Sequence, residues 1–158
     1  MPALQNTASF RTYRPDDLAC CLALFDENCP EFFAPNERAD YEGFLRETPS
    51  YVVATRNDRV VGAYGVSGRG RHSSLNWILL ARESQGLGLG STIMKRAVAR
   101  AIELKTTVLC IAASHKSAPF FTKFSAFEVK TIRDGWGPDM HRIDMELHLS
   151  LNSDGHQI

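Results

Sequence analysis

Seven residues, Gln85-Gly86-Leu87-Gly88-Leu89-Gly90-Ser91, gather three of the chain's eleven glycines within five positions. An apolar segment, Leu75-Asn76-Trp77-Ile78-Leu79-Leu80, runs before them, and Thr92 to Ile102 follows with charged and apolar residues at helical spacing. A strand, a glycine turn and a helix start in that order suit an anion. The first amides of a helix have no partner within it, and the helix dipole adds partial positive charge there. Glycine then lets a phosphate approach the backbone closely. The same stretch also reads as a plain strand-to-helix turn, so the rest of the chain must decide between the two.

The remaining chain supports one soluble α/β domain. At 158 residues it is long enough to bury a full core. Lys plus Arg equals Asp plus Glu at 18 each, so no overall field draws nucleic acid or an anionic membrane. Cys20, Cys21, Cys29 and Cys110 form no C-x-x-C pair and read as reduced, structural thiols, with no metal site expected. Met1 to Ser9 lacks the basic lead and apolar core of a signal peptide, and no run approaches the ~18 apolar residues of a membrane span. A cytoplasmic location is the expectation.

Phe10-Arg11-Thr12-Tyr13 alternates as a short strand, and Pro15-Asp16-Asp17 starts a helix carrying Leu18, Cys21, Leu22 and Phe25 on one stripe. That helix ends near Asn28, ahead of Pro30. The connector Glu31-Phe32-Phe33-Ala34-Pro35 sets two phenylalanines beside a carboxylate, either as core plugs or as a pocket wall. A second helix runs from about Asn36 to Glu47, with Tyr41, Phe44, Leu45 and Thr48 on one face and Pro49 closing it. Tyr51–Thr55 and Val60–Val66 flank Arg56-Asn57-Asp58-Arg59 as a hairpin. Gly68 to His72 reads as a flexible basic connector.

On the helix after the glycine turn, Ile93, Ala97, Ala101 and Leu104 share one side. Thr106 to Ala113 is nearly all apolar, as a strand covered on both faces would be. A helix around Ser117–Phe124, a strand at Phe127–Ile132, a turn-rich loop at Asp134–Asp139 and a strictly alternating strand at Arg142–Leu149 complete the order. That order is β-α-α-β-β-β-α-β-α-β-β, a mixed α/β (α+β) sheet of six to seven strands with about four helices. Residues 10–150 are expected to form a single domain between a flexible N-terminus, 1–9, and a flexible tail, 151–158.

Spacing separates the phosphate-binding families. No Gly-Lys-Ser/Thr occurs, so a P-loop is excluded. Three strands precede the one that leads into Gly86-x-Gly88-x-Gly90, and the next strand runs into Ala112-Ala113-Ser114-His115 without an acid, which excludes a dinucleotide fold. What remains is Q/R-x-x-G-x-G/A, here Gln85 to Gly90. In its strand–helix setting this resembles the acetyl-CoA signature of the GNAT (Gcn5-related) N-acetyltransferases. Ala118-Pro119-Phe120-Phe121-Thr122-Lys123-Phe124 is similar, more loosely, to that family's second cofactor segment, and the element order matches from Phe10 to Leu149.

The resemblance implies acetyl-CoA as co-substrate, no metal, and direct transfer to a small-molecule or peptide amine. It implies that amides from Gly86 through Leu87, Gly88, Leu89 and Gly90 to Ser91 hold the CoA pyrophosphate, with Gln85 opening the motif. Backbone groups of Leu79, Leu80 and Ala81 would pair with the pantetheine arm, admitted where the fourth and fifth strands splay. The Leu80 amide would stabilise the oxyanion. Phe120 and Phe121 would pack on the arm, or serve as core. The family's acid is often a Tyr in the second segment; here that position is Phe121 or Thr122, so no catalytic tyrosine carries over. A thiol of pKa ~8.5 is a good leaving group and can take its proton from water. Glu31 leads as general base, since an apolar setting would raise its pKa, ahead of Asn76 with a water, Glu83 and Asp139. Phe32, Phe33, Trp136 and Asp139 would border the acceptor. No nucleic acid or membrane partner is expected; a homodimer is among the states such a chain can adopt. A non-catalytic acyl-CoA sensor, and a transferase of a longer acyl group, stand as alternatives.

Overall fold

The computed structural model describes residues 7–47 and 50–149. Thr48 and Pro49, the expected end of the second helix, lie outside the described residues, as do 1–6 and the tail from 150. The elements are β1 (Ser9–Thr12), α1 (Leu18–Glu27), α2 (Glu37–Arg46), β2 (Tyr51–Arg56), β3 (Arg59–Arg69), β4 (His72–Leu80), α3 (Leu89–Glu103), β5 (Val108–Ser114), α4 (Ala118–Thr122), β6 (Phe127–Gly137) and β7 (Met140–His148). Short 3-10 turns stand at Pro15–Asp17 and Arg82–Ser84. The order is the one read from the sequence, and the strands form one mixed seven-stranded sheet, β1-β2-β3-β4-β5-β7-β6. β4 and β5 run parallel from His72↔Val108 to Leu75↔Ile111, and β4 continues to Leu80.

By packing the chain divides into two compact units, Met1–Gly65 with Trp77–Ile93, and Val66–Asn76 with Met94–Ile158. In the first, Asn57 and Asp58 both take positive φ (53° and 64°), the primed turn that matches the twist of a two-residue hairpin. Asn and Asp tolerate that region better than other non-glycine residues. The core is aromatic: Phe25, Tyr41 and Tyr51 are fully buried, and Tyr41 lies 4.8 Å from the Trp77 ring. Tyr51 donates its hydroxyl to the Trp77 carbonyl and pairs with the Tyr41 hydroxyl at 3.0 Å. Gly65 is required where it stands, because a Cβ there would lie 2.9 Å from the Tyr51 ring.

In the second unit, α3 buries Met94, Ala97 and Ala101, while β7 buries Ile143, Met145 and Leu147 and leaves the residues between them half-buried. This is the predicted alternation. Two expectations change here. β5 is covered on one face only: Leu109, Ile111 and Ala113 are buried, but Ala112 is exposed. Its register sets Ala112 opposite Asp144 and Cys110 opposite Glu146, so that face carries charge and stays open. The segment Gly68–His72 is no loose connector. β3 and β4 are joined by Gly70-Arg71 alone, and the Gly70 N–H donates to the Leu104 carbonyl at 3.1 Å, past the end of α3. Thr107 and Val108 N–H both donate to the Arg71 carbonyl, at 2.9 and 2.8 Å.

β6 also runs longer than expected, to Gly137, through two breaks in its register with β7, at Glu128/Lys130 and Ile132/Gly137. Gly135 lets it stay against β7, because a Cβ there would stand 2.5 Å from the Arg142 Cβ.

Candidate functional site

Gly86 and Gly88 hold φ of 81° and 88°, a region where other residues carry a steric cost of about 1–2 kcal/mol. A Cβ built on either glycine would meet nothing within 4 Å, so the space over the turn is open. Leu87 points outward, 61% exposed, whereas Leu89 and Gly90 are buried. Backbone bonds brace the turn from below, from Ser84 N–H to Ala81, Gln85 N–H to Arg82 and Leu87 N–H to Ser84. Above it, Thr92 returns its N–H and hydroxyl to the Gly88 carbonyl at 3.1 and 3.2 Å. Ser91 falls in the first turn of α3, a fifteen-residue helix whose first amides have no partner further along it.

The strand leading in is equally defined. Ala81 donates its N–H to Val61 on β3 at 2.8 Å and accepts from Ser84, so both its backbone groups are engaged. Successive strand residues project these groups to opposite edges, which turns Leu80 away from β3. The Leu80 carbonyl is accordingly met by side chains: Asn28 Nδ2 at 2.9 Å and Gln85 Nε2 at 3.3 Å. Gln85 Nε2 also donates to Asn28 Oδ1 at 2.9 Å, and Asn28 Nδ2 to the Leu24 carbonyl at 2.8 Å. Of the three backbone positions expected to meet a pantetheine arm, Ala81 has its N–H committed to β3, and Leu80 projects from the other edge. Leu79 is buried.

Glu31 is not in the apolar setting expected for it. Its side chain is 48% exposed and ion-paired with Arg82, because the connector turns the carboxylate outward while Phe33 goes inward. Arg82 also receives Glu27, whose carboxylate accepts the Arg82 N–H at 3.0 Å. Phe33 lies 5.2 Å from Phe25 and 6.0 Å from Trp77, and Phe32 is half-buried. The buried carboxylate nearby in sequence is Glu37, which accepts the Ala34 N–H at 2.8 Å and is pushed up to about 7 by desolvation.

Glu83, also in the first unit, is exposed and ion-paired with Arg59 at 3.0 Å. The remaining candidates belong to the second unit. Asn76 donates to Ser67 Oγ at 2.9 Å. Phe121 is buried core and Phe120 half-buried, their rings edge-to-face at 5.1 Å. Trp136 is half-buried, tied to the Ala113 carbonyl at 2.8 Å with the Arg142 guanidinium over its ring. Asp139 is an exposed turn residue (φ 61°) whose N–H donates to Asp134. Asn28 and Arg82 escaped the sequence reading, since the partners of Asn28 lie 52 and 57 positions away and leave no local signal. No cluster of three or more His, Cys, Asp or Glu able to hold a metal occurs among the described residues.

The family model described as "Acetyltransferase (GNAT) family" matches residues 18–127, from α1 through the glycine turn to the start of β6. Solved structures agree in fold. Ard1 from Thermoplasma volcanium superposes with a TM-score of 0.75 at 15% identity, over 89% of this chain and 97% of that one. The ribosomal-protein-S18-alanine N-acetyltransferase from Escherichia coli gives 0.75 at 11% identity, over 96% and 100%. The protein yncA from Salmonella typhimurium, solved with its cofactor acetyl-CoA, gives 0.66 at 15% identity, over 93% and 96%. No curated protein sequence is significantly similar. With the family match covering the open glycine turn and the strand that feeds it, this chain belongs to the GNAT acetyltransferase family.

Proposed function

We propose that the protein is an acetyl-CoA-dependent N-acetyltransferase acting on a small-molecule or peptide amine. The observation that carries this is the open turn at Gly86 and Gly88, entered from a strand whose Leu80 faces away from β3. Acetyl-CoA would supply the activated acyl thioester. Amides from Gly86 to Ser91 hold the pyrophosphate at the N-terminus of α3. The Leu80 N–H, on the outward edge of β4, is aimed to donate to charge developing on the thioester oxygen. On α4, Phe120 is half-buried, whereas Phe121 supports the core. Phe32 and Phe33, in the first unit, are assigned to the acceptor. Glu31 is assigned to holding Arg82 by their exposed ion pair, and the amine proton is left to solvent.

One observation favours the sensor reading. Thr122 is exposed with its hydroxyl turned back to the Ala118 carbonyl at 3.1 Å, and Phe121 is buried, so α4 presents no acid at either aligned position. Thiol release from acetyl-CoA over a panel of small amines and peptide N-termini separates the two readings, and longer acyl-CoA thioesters in the same panel test the acyl group. Turnover on any amine supports the transferase. Tight CoA binding with no turnover across the panel supports the sensor, and no binding at all refutes both.

A further inference from the structure

Asn28 is 3% exposed, ends α1, and spends its whole amide on fixed partners: Nδ2 on the Leu24 and Leu80 carbonyls, Oδ1 on Gln85. A buried amide with three good hydrogen bonds is held in one orientation, since any rotation leaves a desolvated donor or acceptor unpaired. Its two long-range partners belong to the two halves of the cofactor site. Leu80 carries the backbone group aimed at the thioester end, and Gln85 opens the phosphate turn. Gln85 closes the triangle by reaching the Leu80 carbonyl itself at 3.3 Å. Arg82, between them, is tied to the same end of α1 through Glu27 and Glu31. The end of β4 and the start of the turn are thus registered against one helix terminus.

We propose that Asn28 is a positioning residue that couples the phosphate turn to the thioester-facing peptide at Leu80, so that both ends of one CoA molecule meet prearranged groups. The proposal rests on the cofactor reading above. A ligand touching both elements benefits from the coupling; one touching only the turn does not. Calorimetric titration with CoA and with 3′-phosphoadenosine 5′-diphosphate reads this directly in the full chain. Asn28→Ala is expected to weaken CoA by about tenfold and the phosphate-only probe by less than about threefold. Gln85→Ala, which removes the donor to Asn28 Oδ1 from a half-buried position, is expected to weaken CoA by a similar factor. The double variant should lose about tenfold in total, not about a hundredfold, because both changes break one linked unit. General loosening of the fold would lower both ligands together and is monitored by urea unfolding of each variant. Should Asn28→Ala fail to fold, Gln85→Ala carries the test alone, with CoA weakened and the phosphate probe spared. CoA affinity within about twofold of wild type in the single variants, or losses that multiply, overturns the proposal while leaving the cofactor reading intact. Wild-type protein that binds neither probe overturns the cofactor reading and this proposal with it.

Discussion

Glu37 stands in the first turn of α2 with 4% of its surface exposed, one carboxylate oxygen accepting the Ala34 N–H. Desolvation, helped by the nearby charge of Asp40, lifts its pKa from 4.5 to about 7, although the Ala34 bond works the other way. The neutral acid is therefore the form the fold prefers. Its contribution is fully present below the unfolded value of 4.5 and is lost as pH rises toward about 7. At ~1.36 kcal/mol per pH unit, that gap corresponds to about 3 kcal/mol. Glu37→Gln keeps an oxygen for the Ala34 N–H and removes the titration. Urea unfolding of wild type and variant at a series of pH values from 4 to 8.5 gives the difference in stability at each. That difference should move by about 3 kcal/mol in favour of the variant as pH rises, or about 6–12 °C in Tm for a chain of this size. Any fixed cost of burying the new amide donor cancels, because it does not depend on pH. Parallel stability profiles, with the difference moving by less than about 1 kcal/mol, would refute the assignment of a desolvated carboxylate at this position.

Gly88→Ala should cost about 1–2 kcal/mol of stability from its positive φ and weaken CoA more than about tenfold, about 1.4 kcal/mol, since the methyl enters the open space over the turn; thermal unfolding and CoA titration separate the two effects. Tyr51→Phe removes the donor to the Trp77 carbonyl and the partner of Tyr41, and should destabilise by about 2 kcal/mol in urea unfolding. Glu31→Gln breaks an exposed ion pair only, so stability should change by less than about 1 kcal/mol, and thiol release with any accepted amine should keep the wild-type pH profile.

The glycine turn was legible because its chemistry is local: Gly86 and Gly88 need their φ values, and the apolar runs on either side fix a strand and a helix. The alternation of β7 was legible for the same reason. What escaped depends on contacts distant in sequence. An apolar run such as Val108–Ala113 reads alike whether one face or two are covered, and only the register against Asp144 and Glu146 exposes Ala112. Glu31 beside Phe32 and Phe33 suggested an apolar carboxylate, but a connector can turn neighbours in opposite directions. Burial instead fell on Glu37, where an acid in a first helical turn gives no hint of it. Asn28 looked like an ordinary helix end until β4 was folded against it.

The sheet ends at β6, which displays Phe127 and Val129 at 46% and 54% exposure. An outermost strand with bare apolar side chains is a template on which other chains can grow. Here the ladder with β7 is cut twice, leaving regular stretches of only two and three residues, Phe127–Glu128 and Lys130–Ile132. An incoming strand seeks an unbroken run of about six residues. The bulges that bring Trp136 to the Ala113 carbonyl therefore also deny strangers a continuous edge, so that straightening β6 would trade solubility for regularity.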